Sequence, residues 1–213
     1  MVKKAIFLTF ILSLIIFLAS TASFAGGGGN SAGDEAKAEG EEEAPKAVTI
    51  SEDDPIPLTD EKIEVYIKRV LTTKNYKLQE KAIHKLVLTG NNVSPFLLKE
   101  LKQDELTEKE KLRLIYLIGR MGEKARPAVF PLARMLRQKK YKNNRDMKIA
   151  VLSALSRMGK AAESAVPTIY RVLLLEEDKK VKQIAKRTLQ DIDTEEAKQL
   201  LKKYQEHYEE MEK

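Results

Sequence analysis

Residues 146–159 read DMKIAVLSALSRMG, and three other stretches of the chain align with them. Apolar residues recur in each stretch at intervals of three and four positions, which is the spacing of one face of an α-helix. Each stretch therefore predicts an amphipathic helix. The other three are LQEKAIHKLVLTG (78–90), EKEKLRLIYLIGRMG (108–122) and VKQIAKRTLQDID (181–193).

Equivalent positions of the four stretches carry the same kinds of residue. Two positions are apolar throughout and are expected to face the core, one with Leu86, Ile118, Leu155 and Leu189, the other with Ala82, Leu114, Val151 and Ala185. The last position holds Gly90, Gly122, Gly159 and Asp193, at spacings of 32, 37 and 34 residues. Because glycine and, less readily, aspartate tolerate a left-handed backbone, this position predicts the end of a helix.

The segments between these helices repeat as well. One alignment without a gap sets EKARPAVFPLARML (123–136) over KAAESAVPTIYRVL (160–173), and VSPFLLKEL (93–101) fits the later part of the same pattern. No part of residues 55–213 alternates apolar and polar residues as a strand does. A unit of about 30–40 residues with two helices predicts an all-α chain built as an α-solenoid.

Three parts of the unit match a known pattern, namely Ala165-Val166-Pro167, Val181-Lys182 and Leu155–Gly159. They resemble HEAT repeats of the short bacterial type. The resemblance implies four repeats, at about 60–90, 93–122, 125–159 and 162–193. A capping helix is expected within 194–213, because Thr194 suits a helix N-cap and one narrow apolar stripe follows it.

HEAT repeats often carry an acid six residues before a base, and these residues link successive repeats. The pairs Glu105 with Lys111 and Glu176 with Lys182 have that spacing. The third repeat departs from the pattern, since Lys142 stands six residues before Lys148.

The first 25 residues have the composition of an export signal. Lys3 and Lys4 precede a long uncharged stretch, and Ser23 and Ala25 occupy the −3 and −1 positions of a cut before Gly26. These features predict a signal peptide cleaved after Ala25 and a periplasmic or secreted protein. The alternative is an anchor retained in the inner membrane by residues 5–25.

The remaining chain divides into an acidic segment and a basic domain. Residues 26–58 are rich in glycine and glutamate, with nine acids against two lysines between 34 and 54, and are expected to form a disordered linker. Residues 59–213 are expected to form the repeat domain. From residue 55 onward, 34 basic and 23 acidic side chains give a net charge of +11.

Catalytic chemistry has little support in the composition. The chain has no cysteine, which excludes disulfides, thiolate metal sites and cysteine nucleophiles. Its two histidines, His84 and His207, have no histidine partner at metal-ligand spacing. We therefore expect a protein without catalytic activity, cofactor or metal.

One basic stretch stands out, RQKKYKNNRDMK (137–148), with six positive residues and one acid. It accounts for the long spacing of 37, and insertions in a solenoid often map to a binding edge. A solvated surface loop is the competing interpretation. The candidate site for an anionic partner comprises Arg137, Lys139, Lys140, Tyr141, Lys142, Arg145 and Lys148, together with Arg120 and Arg157, which recur at one repeat position.

The function expected from these features is that of an exported, non-catalytic scaffold for protein–protein interaction. It would act as a monomer and bind a protein with an acidic surface. One alternative is a structural protein of the membrane or cell envelope that binds anionic lipid or polymer, and another is an accessory subunit of an envelope enzyme complex. Export argues against nucleic acid as a physiological partner, although a basic domain has the charge to bind it.

Overall fold

The structure, a computed structural model, describes residue 51 and residues 53–206. The predicted signal peptide, most of the acidic segment and His207 lie outside the described residues. Every regular element within the described part of the chain is helical, which confirms the all-α prediction.

Nine α-helices and four short 3₁₀ segments make up the described domain. The α-helices are α1 Asp60–Thr72, α2 Tyr76–Thr89, α3 Ser94–Leu101, α4 Glu108–Met121, α5 Val129–Arg137, α6 Arg145–Met158, α7 Val166–Leu175, α8 Lys179–Ile192 and α9 Glu195–Tyr204. The 3₁₀ segments are Gly90–Val93, Gly122–Ala128, Lys139–Tyr141 and Gly159–Ala165. The four stretches aligned in the sequence thus form α2, α4, α6 and α8.

Side-chain caps fix where most of these helices begin. Each capping oxygen accepts a backbone N–H of the first turn, a group that has no partner inside the helix. At α4 the Thr107 side chain accepts from Glu110 N while the Glu110 carboxylate accepts from Thr107 N at 2.9 Å. Thr194 accepts from Ala197 N, as its sequence context predicts. The other capping residues are Thr59, Asn75, Asn144 and Asp178.

Positive φ angles end α2, α4, α6 and α8, but in two different conformations. Gly90, Gly122 and Gly159 have φ of 83°, 57° and 54° with ψ between −132° and −139°. Only glycine adopts that region readily, and each of these residues leads into a 3₁₀ segment. Asp193 has φ 52° and ψ 36°, the left-handed helical region that aspartate tolerates, and leads directly to Thr194.

The aligned helices α4, α6 and α8 pack one against the next, and several consecutive helices also pack in pairs. Helix α6 packs against both α4 and α8, α1 packs against α2, and α7 packs against α8. The two apolar positions shared by the aligned stretches are buried throughout, with no residue more than 1% exposed. The sequence periodicity therefore identifies the core correctly.

Gly119 allows α4 and α6 to approach closely. A Cβ placed at Gly119 would lie 3.0 Å from Ala154 Cα and 3.2 Å from Ala154 Cβ. The first of these contacts is with backbone, which a rotamer change cannot relieve. Any larger side chain at Gly119 must therefore push the two helices apart.

The folded region begins before residue 59, the predicted start of the domain. Leu58 is buried, and its N–H donates to Thr89 Oγ1 at 3.3 Å. Asp54 binds Lys62 at 3.0 Å, and the Tyr66 hydroxyl lies 2.8 Å from Asp54 Oδ2. The acidic composition predicts disorder for this part of the linker. Asp54 is nevertheless held in place, because it binds Lys62 and the Tyr66 hydroxyl on α1.

These contacts shift two pKa values. A hydrogen bond from Ser51 N–H is the largest cause of the lowering of the Asp54 pKa from 3.8 to about 2, with help from Tyr66 and Lys62. Burial, followed by the hydrogen bond with Asp54, raises the pKa of Tyr66 to about 12. The native state thus favours the charged form of Asp54.

We predict that Gly119→Val destabilises the domain by about 2–3 kcal/mol, because the added side chain overpacks the α4–α6 contact. Helix propensity cannot cause this loss, because valine is a better helix former than glycine, and Lys109→Val shows the effect of a valine at an exposed position of the same helix. The measurement is the urea midpoint of the circular dichroism signal at 222 nm. Equal midpoints for Gly119→Val and Lys109→Val would show that the close approach is not required.

We also predict that the stabilising effect of Asp54 depends on pH. Because its folded pKa lies below its ordinary value, the contribution is complete above about pH 4 and is lost as the pH falls toward about 2. The stability difference between wild type and Asp54→Asn should therefore shrink over that range in urea titrations. Asp53→Asn, at an exposed neighbouring position, is the matched control for the loss of one negative charge. A constant difference for Asp54→Asn would contradict the assignment.

Candidate functional site

The basic stretch forms a compact turn between α5 and α6. Helix α5 ends at Arg137, a 3₁₀ segment spans Lys139–Tyr141, and Asn144 caps α6 by accepting from Met147 N at 2.9 Å. The Tyr141 ring is buried, with 9% of the residue exposed, and the Lys140 ammonium lies 5.0 Å from its centroid. Tyr141 therefore anchors the turn to the core and offers little of its ring to a partner.

Two of the predicted basic residues already bind acids of the same domain. Lys148 Nζ pairs with Glu176 Oε2, and both side chains are mostly buried, at 12% and 13% exposure. Arg145 Nε lies 3.0 Å from Asp178 Oδ2, and Asp178 also caps α8. These pairs tie the start of α6 to the turn between α7 and α8.

The electrostatics of Asp178 agree with this anchoring role. A hydrogen bond from Val181 N–H is the largest cause that lowers the pKa of Asp178, and the charges of Arg145 and Lys148 add to it. The Asp178 carboxylate is thus held ionised at the N-terminus of α8, where negative charge is favourable. Arg145 and Lys148 therefore hold the turn in place through their ion pairs with Asp178 and Glu176.

A groove of about 480 Å³ lies beside this turn, between the C-terminal ends of α5 and α7. We call it the basic groove. Four of its basic side chains have no acidic partner among residues 53–206: Arg137, Lys139, Lys142 and Arg171. All four are exposed. Lys148 also lines the groove, but its charge is matched by Glu176.

Arg171 is a site residue that the sequence pattern of the loop does not include. It comes from α7, 29 positions after Lys142, and only the fold brings it to the groove. One signal was available, because Arg134 and Arg171 occupy equivalent places in the aligned first helices. Lys140, in contrast, is predicted from the sequence as a site residue but does not line the groove. Its Nζ lies 3.8 Å from Asp104 Oδ1, and both side chains are largely exposed.

Arg120 and Arg157 lie elsewhere, on α4 and α6, and do not line the basic groove. Their guanidinium carbons stand 5.7 and 5.3 Å from the centroid of the Tyr116 ring, so the two cations flank one aromatic side chain. Arg120 also binds Glu80 at 2.8 Å, and this carboxylate raises the pKa of Arg120. The structure therefore separates the predicted anion-binding residues into two places.

The described residues, 51 and 53–206, also bear on other classes of site. No group of three or more histidine, cysteine or acidic side chains in that part of the chain is arranged to hold a metal ion. His84 is exposed on α2. Among the described helices, none combines the length and the apolar character needed to cross a bilayer.

Neither a protein-family model nor a curated protein matches the chain. The HEAT-like resemblance therefore stays a prediction from the residues that carry it.

We predict that Lys148→Met destabilises the domain by about 1–3 kcal/mol, because the mostly buried Glu176 carboxylate then loses its counter-charge. The double variant Lys148→Met, Glu176→Leu should recover most of that loss. Lys140→Met, which breaks the exposed pair with Asp104 and removes the ammonium from the Tyr141 ring, should change the unfolding free energy by less than about 1 kcal/mol. Urea unfolding measures the free energy of unfolding of all three variants. Equal destabilisation by Lys148→Met and Lys140→Met would contradict a structural role for the Lys148–Glu176 pair.

Proposed function

We propose that this chain is an exported, non-catalytic scaffold of about four HEAT-like repeats that binds a protein partner through the basic groove. The observation that carries the proposal is the convergence of Arg137, Lys139, Lys142 and Arg171 on one concave surface without acidic partners in the described domain. Unmatched positive charge in a concavity favours an anionic ligand.

The packing of the helices supports the repeat architecture in this proposal. Helices α4, α6 and α8 follow one another in contact, and equivalent buried residues recur along the series. The ion pair between Lys148 and Glu176 joins α6 to the next helical hairpin, which is the kind of link that HEAT-like repeats use. Helix α9 follows α8 and buries Ala197 and Tyr204, as a terminal cap would.

A protein is the partner class that this surface suits best. The basic side chains would steer an acidic partner and select against wrong ones, while buried apolar contact would supply much of the affinity. Such a role needs a rigid surface and no reacting group. The internally paired Arg145 and Lys148 provide rigidity, because they fix the turn that carries Lys139 and Lys142.

We predict that reversing the four unmatched charges weakens binding to an acidic peptide by at least about tenfold, which corresponds to 1.4 kcal/mol. The variant is Arg137→Glu, Lys139→Glu, Lys142→Glu and Arg171→Glu. The measurement is fluorescence anisotropy with a labelled peptide rich in glutamate, at low salt.

A matched control variant reverses four exposed lysines outside the groove: Lys68, Lys74, Lys77 and Lys109. It changes the net charge by the same amount, so a non-specific electrostatic effect would appear in both variants. We expect the control to weaken binding by less than about threefold. Equal weakening by the two variants would contradict the groove as the binding site.

A further inference from the structure

The wall of the basic groove formed by α7 is an unpartnered helix face of mixed character. Thr168, Arg171, Val172 and Leu175 line the groove, and their spacing of i, i+3, i+4 and i+7 places them on one side of the helix. A different stripe of α7, with Val166, Ile169 and Leu173, is buried in the core. Helix α7 therefore has one apolar stripe that the domain covers and a second face that it leaves open.

Leu175 is the most exposed part of this open face. It is 67% exposed, although it is a large apolar residue at the end of a well-packed helix. Val172 and Leu136 stand beside the same groove and are half-buried. The groove therefore combines an apolar patch with the four unmatched basic side chains.

Arg137 and Arg171 can each hold a carboxylate through two parallel N–H donors, and Lys139 and Lys142 add point charges. Two acids line this surface: Glu176, whose charge Lys148 matches, and Glu177, which is exposed. An uninterrupted polyanion would meet repulsion at Glu177 and would gain nothing from Leu175. A ligand with spaced carboxylates and an apolar side chain would use both kinds of contact.

From this charge and surface complementarity, and resting on the proposed function, we infer that the groove takes a peptide segment in which a bulky apolar residue stands among acidic ones. The apolar side chain packs on Leu175, Val172 and Leu136, and the flanking carboxylates pair with Arg137 and Arg171. The partner is thus a protein with an acidic, leucine-bearing segment.

The test compares two labelled peptides of equal charge, one with leucine among glutamates and one with serine in its place. Anisotropy titrations use the full chain as wild type, as Leu175→Ser and as the four-charge groove variant. Leu88→Ser is the matched control, since Leu88 is 46% exposed on α2 and outside the groove. Circular dichroism melts verify that every variant is folded.

We expect wild type to bind the leucine peptide at least about fivefold more tightly than the serine peptide, as burial of one apolar side chain allows. Leu175→Ser, which removes the most exposed of the three apolar contacts, should reduce that preference to less than about twofold and leave the serine peptide unaffected, whereas Leu88→Ser should change neither affinity. Equal affinity for both peptides, or an equal loss for both with Leu175→Ser, would overturn the inference.

Failure of the inference can be told apart from failure of the proposed function. If both peptides bind equally but the four-charge variant still weakens both, the groove binds acidic chains and only the apolar contact is wrong. If the four-charge variant binds like wild type, the proposed function itself fails. Tighter binding to phosphatidylglycerol vesicles than to either peptide, unchanged by Leu175→Ser, would overturn the inference in favour of a lipid surface.

Discussion

The contact of α6 with α4 on one side and α8 on the other is the interaction on which the rest of the domain depends. Leu155 and Leu152 are fully buried in it, and Gly119 sets how closely α4 can approach. Because an amphipathic helix of 14 residues is marginal alone, burial of its apolar stripe by neighbours supplies most of its stability. The spacing of these helices in turn determines where their connecting segments lie.

The basic groove is a consequence of this packing. Once α6 is fixed, the turn before it is held by Tyr141 in the core and by Arg145 and Lys148 on acids of the α7–α8 turn. The basic side chains of the turn thereby divide into those that build it and those that remain unmatched. The paired residues hold the turn in one conformation, and the unmatched ones line the groove together with Arg171 from the neighbouring helix.

Local patterns predicted the helices well, because burial repeats at the helical period and glycine marks the helix ends. Ile118 and Leu155 could be assigned to the core from spacing alone. The site was harder to predict, because Glu176, the partner of Lys148, is 28 residues away in the chain. No residue near Lys148 in the sequence indicates that the two would pair. Asp54 illustrates the same limit, since its acidic neighbours suggest disorder while its stabilising partners belong to α1.

Site-specific photo-crosslinking in intact cells identifies what occupies the basic groove. A photoreactive residue at Lys139, in the groove, is compared with one at Lys68, which is exposed on α1. We expect position 139 alone to capture a protein, and the crosslinked peptide to be an acidic segment with a bulky apolar residue. Equal capture from both positions, or capture of lipid or nucleic acid at position 139, would show that the groove is not a protein-binding site.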